Sequence, residues 1–249
     1  MSRWKASLIH LGISAMIALA VLTLMLLVWY PYPLFAAVGG QQVLMILLAV
    51  DVTLGPLITL TVFNTKKSRK ELTIDLSTIA FLQIAALIYG MSVIFQARPA
   101  FVVYSINSFD LVTANMLKDE DLAKAKYPDY RSLPLTGPIY VYTEMPTDIQ
   151  ERNEVTLSTF SGKDLPQFPK YYQPFAERMK DVAATARYLT ELKLFKPDLT
   201  ARIDAAVRDL GRKEAELAYI PLRAKHQDMT VLVEKSSGKI LTILEISPY

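Results

Sequence analysis

Two long runs without a formal charge govern what this 249-residue chain can fold into. Between Ala6 and Val50 there is no Lys, Arg, Asp or Glu, and the same holds from Leu76 to Ala97. A bilayer core about 30 Å thick is crossed by roughly 20 helical residues, with a usable range of ~17–25. Three segments meet that requirement: residues 7–30, 43–63 and 74–95. After Arg98, charges return every few residues. The expected fold class is a membrane protein in which three N-terminal transmembrane helices (1–97) precede an α+β periplasmic domain (98–249). The polar part is long enough to bury one core of its own.

Charge distribution sets the expected orientation. The first 97 residues hold six bases (Arg3, Lys5, Lys66, Lys67, Arg69, Lys70) against three acids (Asp51, Glu71, Asp75), and so carry the whole net charge of +3. Those bases sit in MSRWK and in the loop NTKKSRKE, whereas the loop PYPLFAAVGGQQ (31–42) has none. The positive-inside rule places the first two in the cytoplasm and the third outside. The third span then runs outward and delivers the polar domain to the periplasm, with the chain resident in a bacterial inner membrane. The first run is too long for the ~7–15-residue core of a signal peptide, so it reads as a retained helix.

In the polar domain, AFVVYSINSFDLVTA reads as a hairpin turning at Asn107-Ser108, KDEDLAKA as helical and IYVYT as a short strand. Glu151–Ser161 is ambiguous, and SGKDLPQFPKYYQPF (161–175) reads as an aromatic, proline-rich loop. Phe175, Met179, Val182, Ala186, Leu189 and Leu192 recur at helical spacing and predict one helix. Leu199, Ile203, Ala206, Val207 and Leu210 predict a second, with Gly211 as its cap. AYIPLRA and a hairpin around Ser237-Gly238 close the chain, and strands at both ends predict a shared sheet.

Chemistry-bearing motifs are few. With no cysteine, disulfides, thiol catalysis and lipoprotein anchoring are excluded. The only histidines are His10 and His226, and no metal-ligand spacing or cofactor site can be assembled. SGKD lacks the remaining residues of a phosphate loop, and His226 with Asp228 reads as a solvated loop. An intramembrane aspartyl protease needs two carboxylates sharing a proton, and the spans offer Asp51 alone, since Asp75 lies at the cytoplasmic boundary. The expectation is a protein without enzyme activity, without a cofactor and without a nucleic-acid footprint, since residues 98–249 are neutral overall.

The anomaly lies in LLAVDVTLGPLITLTVF. Asp51 falls roughly 12 Å below the outer end of its span at ~1.5 Å per residue, where a charged side chain is expensive. One reading is a bond inside the helix bundle, with Thr23, Gln83 or Tyr89 near that depth. The other is a polar contact offered to an incoming helix. Gly55, four residues on, allows close approach, and Pro56 removes a backbone donor and frees the carbonyl of Val52. Spacing leaves both open.

MSRWKASLIHLGISA, VWYPYPLF, VDVTLGPLITLTVFN, KKSRKELTIDLSTIAFLQIAALIYG and DMTVLVEKSSGKILTIL resemble the TfpX/TfpZ family of type IV pilin accessory proteins. The resemblance covers the three spans and the last hairpin. It implies an inner-membrane protein that assists a type IV pilin before or during fibre assembly, and together with Asp51, Gly55, Pro56 and the aromatic loop it leads to the expectation of a chaperone or stabiliser for the major pilin. The spans would hold the pilin helix, with Asp51, Gly55 and Pro56 in contact and Asp51 meeting its N-terminal amine or another polar group. The polar domain would cradle the pilin head through the loop around Tyr171 and Tyr172. Two alternatives are a regulator of the pilus machine that holds no pilin and a periplasmic ligand sensor.

Overall fold

The computed structural model describes residues 2–249. Three long helices come first: α1 (Arg3–Trp29), α2 (Gly40–Val62) and α3 (Arg69–Gln96), each long and apolar enough to cross a membrane. Their ends follow local chemistry. Ser68 and Glu71 close a reciprocal capping box at the start of α3, satisfying two backbone donors that a helix end leaves open. At its far end the Arg98 guanidinium donates to the Phe95 carbonyl (2.6 Å) and lies 3.8 Å from the Phe95 ring centre. A cation there complements the carbonyl end of the helix. The outward faces stay apolar, with Phe81, Ile88 and Leu82 among the exposed side chains of α3.

Two of these helices contain π-helical stretches, Met25–Trp29 and Leu48–Leu54. The second ends directly before Gly55-Pro56. Pro56 has no N–H, and its ring crowds the carbonyl four residues back. A widened turn relieves that crowding, as π-bulges inside helices do.

The polar domain is built on an eight-stranded mixed sheet of β1 (Pro99–Ser105), β2 (Ser108–Thr113), β3 (Ile139–Thr143), β4 (Gln173–Pro174), β5 (Arg187–Tyr188), β6 (Leu217–Arg223), β7 (Met229–Glu234) and β8 (Ile240–Leu244). Its order is β4-β3-β1-β2-β6-β7-β8, with β5 on β6. The early hairpin and the closing strands therefore meet through the parallel β2–β6 pair. β1 is buried along its whole length, which explains its unbroken apolar run. Alternation along β6 divides two cores: Ala218, Ile220 and Leu222 face one, Leu217 and Tyr219 the other. Helix α4 (Ile149–Thr159) resolves the ambiguous segment.

The single helix expected over Phe175–Leu192 is corrected to two, α5 (Phe175–Thr185) and α6 (Leu189–Phe195). Between them Arg187 and Tyr188 pair antiparallel with Tyr219 and Ala218 of β6. The ladder bonds take the backbone out of the helix, while Val182 and Leu192 still bury their side chains in different cores. Helix α7 (Thr200–Asp209) follows, and Gly211 at φ +61° ends it. KDEDLAKA forms only one helical turn, Asp119–Leu122.

The segment between α1 and α2 docks onto the polar domain. Leu34 and Ala37 are buried in the same core as Tyr104, Phe109 and Ile220. The Ala37 carbonyl accepts the His226 N–H at 3.1 Å. Gly39 takes φ +77°, and a Cβ there would lie 2.6 Å from His226 Cδ2. A residue with any side chain would strain both the backbone and this contact.

Candidate functional site

Helices α1 and α3 stand apart enough to leave a partly open groove between them, a cavity of about 370 Å³ to which α2 contributes Asp51 and Thr59. Its walls are hydrocarbon: Ile9, Ile13 and Ile17 on α1, and Leu76, Ala80, Ile84 and Leu87 on α3. Polar side chains collect along the α2 side. His10 Nδ1 and the Thr59 hydroxyl share a hydrogen bond of 2.6 Å. The Ser7 hydroxyl donates to the Pro56 carbonyl at 2.9 Å, and Gln83 Nε2 donates to the Asp51 backbone carbonyl at 3.4 Å.

The carboxylate of Asp51 is different. Asp51 is 9 % exposed, yet its Oδ1 has no hydrogen-bond partner among the described residues. Of the bundle partners weighed from sequence, Thr23 is exposed and donates to Leu19, Tyr89 is exposed, and Gln83 meets only the Asp51 backbone. Gly55 and Pro56 are both buried one turn further along α2. A side chain at Gly55 would run into the Gln83 carboxamide, so the missing Cβ is what lets Gln83 reach across from α3.

His10 joins this cluster although no motif singled it out. Ser7, His10 and Ser14 recur at steps of three and four, and Asp51, Gly55 and Thr59 at steps of four. Each set marks one stripe of a helix, and the two stripes face each other. That periodicity was the available signal.

The two tyrosines take unequal places. Tyr172 is 1 % exposed, packs against Phe101 and Tyr130, and donates its hydroxyl to the Pro166 carbonyl at 2.5 Å. Burial pushes that phenol far above its ordinary pKa. It offers no surface to a partner. Tyr171 is half-buried beside Phe168, and its hydroxyl donates to Glu151 at 3.3 Å. Glu151 also pairs with Lys170.

A second cavity, about 660 Å³, lies where the polar domain meets the helix ends. Asp110 and Arg223 pair across its wall at 2.7 Å, and Ser105 donates to Asp110 at 2.9 Å. Burial holds the Asp110 carboxyl above its ordinary range, outweighing the lowering pull of Arg223.

Three helices long and apolar enough to cross a membrane, a mixed sheet domain and a largely apolar groove with a polar stripe are the features of a membrane-associated protein with a folded head. Sequence comparison narrows the class. A family model described as the fimbrial assembly protein FimB matches residues 1–39. The fimbrial assembly protein of serogroup E1 from Dichelobacter nodosus is 27% identical over 98% of this chain and 95% of its own length. The serogroup I protein is likewise 27% identical over 98% of this chain. The protein of serogroups C1 and C2 is 36% identical over 49% of this chain and 92% of its own length. This chain belongs to the fimbrial assembly protein family. No solved structure matches it.

Proposed function

We propose that this protein is an inner-membrane accessory protein of the TfpX/TfpZ kind that assists a type IV pilin, holding its apolar helix before or during fibre assembly. The observation that carries the reading is the groove between α1 and α3, with hydrocarbon walls and a polar stripe on one side. Apolar walls suit a transmembrane helix, and small or polar side chains support helix–helix contact in lipid. On the α2 side Asp51 and Thr59 line the groove, and Asp51 offers it an acceptor. A role in fimbrial assembly is common to the family; the pilin as direct cargo is our reading. The basic loop around Lys66, Lys67, Arg69 and Lys70 supports a cytoplasmic placement, with the polar domain in the periplasm.

Photocrosslinking in cells from Ile13 or Ile84, one on each wall, tests this. A pilin adduct identified by mass spectrometry is the expected result. Adducts with other pilus components, and none with pilin, would replace the chaperone by a regulator of the machine.

A further inference from the structure

The groove contains a carboxylate oxygen that the chain leaves unsatisfied. Asp51 is nine-tenths buried, and Oδ1 accepts no hydrogen bond from any described residue. Its neighbours are committed elsewhere: Gln83 to the Asp51 backbone carbonyl, His10 Nδ1 to Thr59. Among the described residues no Lys or Arg lines the groove, and none occurs in the sequence between Lys5 and Lys66. A carboxylate shielded from water is expensive unless a donor or a counter-charge meets it.

We propose that Asp51 is the counter-charge for a cationic group, a primary amine or a guanidinium, carried by the apolar helix that enters the groove. This rests on the reading that the groove receives a helix, and it adds the chemistry by which that helix is recognised. Hydrocarbon contact alone discriminates poorly among apolar helices, because lipid makes the same contact. A buried charge pair discriminates strongly, since a partner lacking the cation leaves the carboxylate uncompensated. The occupant is thus selected, and its depth fixed, by one charge opposite Asp51. The site within the chain that competes for this role is His10, whose ring lies beside Gly55.

The test uses the full-length protein in phosphatidylcholine nanodiscs and labelled Leu/Ala transmembrane peptides, read by energy transfer. One peptide carries a single central lysine, the other a glutamine at that position. The lysine peptide is expected to bind at least about tenfold more tightly than the glutamine peptide. The preference is expected to vanish in Asp51→Asn, which keeps the shape of the side chain, and to survive in Asp51→Glu. Equal binding of the two peptides to the wild-type protein overturns the charge assignment and leaves the groove as a helix site. A lysine preference that persists in Asp51→Asn overturns it too, and points to another acceptor. If neither peptide binds, the reading of the groove as a helix site falls as well. Should Asp51→Asn fail to fold, the wild-type comparison still decides between the first two outcomes.

Discussion

The carboxamide of Gln83 on α3 occupies the space that a side chain on Gly55 of α2 would take: a Cβ there would come within 2.9 Å of Gln83 Cδ and 3.1 Å of His10 Nε2. Helix propensity alone favours alanine over glycine by about 1 kcal/mol. The group in the way is the end of a flexible side chain that borders an open groove. Gly55→Ala is therefore expected to displace Gln83 from the Asp51 carbonyl and change stability by less than about 1 kcal/mol, whereas Gly55→Ala in a Gln83→Ala background should gain the full helix-propensity term. A double-mutant cycle measures this coupling; strictly additive effects would mean that the two residues do not meet.

Leu34 lies in the segment between the first two helices, yet it is 2 % exposed in the core of the polar domain. Leu34→Ala should cost about 2–5 kcal/mol, as truncations at such sites do. The loss should appear in the sheet, as faster amide exchange in β6 and β7. Exchange confined to residues near Leu34 would show that the docking carries no stability.

These two cases mark what sequence could and could not reveal. Three long apolar helices, the hairpin at β1–β2, the strand IYVYT and the closing hairpin follow from charge gaps and local periodicity, and each is present. Local pattern did not show that Arg187 and Tyr188 would leave a helix to pair with β6, nor that Leu34 and Ala37 would enter a core made of strands distant in sequence. Both depend on long-range contacts. In the groove, Asp51 stood out because a charge is rare in a span, and Gly55 because it lies four residues on and beside a proline. His10 and Thr59 did not, because a single polar residue gains meaning only from what faces it.

The aromatic loop offers a direct contrast. Tyr172→Ala is expected to destabilise the polar domain by about 3–5 kcal/mol, the range for emptying a buried aromatic site. Tyr172→Phe, which strips the Pro166 carbonyl of its donor, should cost about 1–3 kcal/mol. Tyr171→Ala should change stability by less than about 1 kcal/mol, because its contact to Glu151 is partly solvated. Denaturant unfolding separates the three. If Tyr171→Ala abolishes surface fimbriae at normal protein level, the loop contacts a partner through Tyr171.

Asp110 and Arg223 supply a pH test. Burial, the largest influence, raises the Asp110 carboxyl above its ordinary pKa despite Arg223 and Ser105. A carboxyl whose folded pKa exceeds its unfolded one binds its proton more tightly in the folded state. Its contribution to stability is full below the unfolded value and is lost as pH rises through the folded one. The stability of the wild type relative to Asp110→Asn should therefore decline as pH is raised from about 4, near the ordinary carboxylate value. A difference that grows with pH would mean that the Arg223 pair outweighs desolvation.

Pro56 and the π-helical stretch Leu48–Leu54 make the last case, because the stretch that holds Asp51 ends directly before Gly55-Pro56. Residue 56 has no N–H to close the preceding turn, that turn is π-helical over Leu48–Leu54, and Asp51 within it lines the groove with His10 and Gln83. Pro56→Ala restores a donor and removes the ring clash, so α2 is free to tighten by one residue. At 3.6 residues per turn that slip rotates the upstream side chains by about 100°. Asp51 then leaves the groove, whereas Thr59, downstream of the change, keeps its bond to His10. The thermal midpoint of Pro56→Ala should rise, since proline in a helix interior costs about 3 kcal/mol. Adduct yield from Ile84 should fall at the same time. Stability gained while the groove loses its occupant is the pattern of a distortion kept for function. A variant that is less stable, or equally well occupied, would show that the π-helical stretch does not depend on Pro56 or does not orient Asp51.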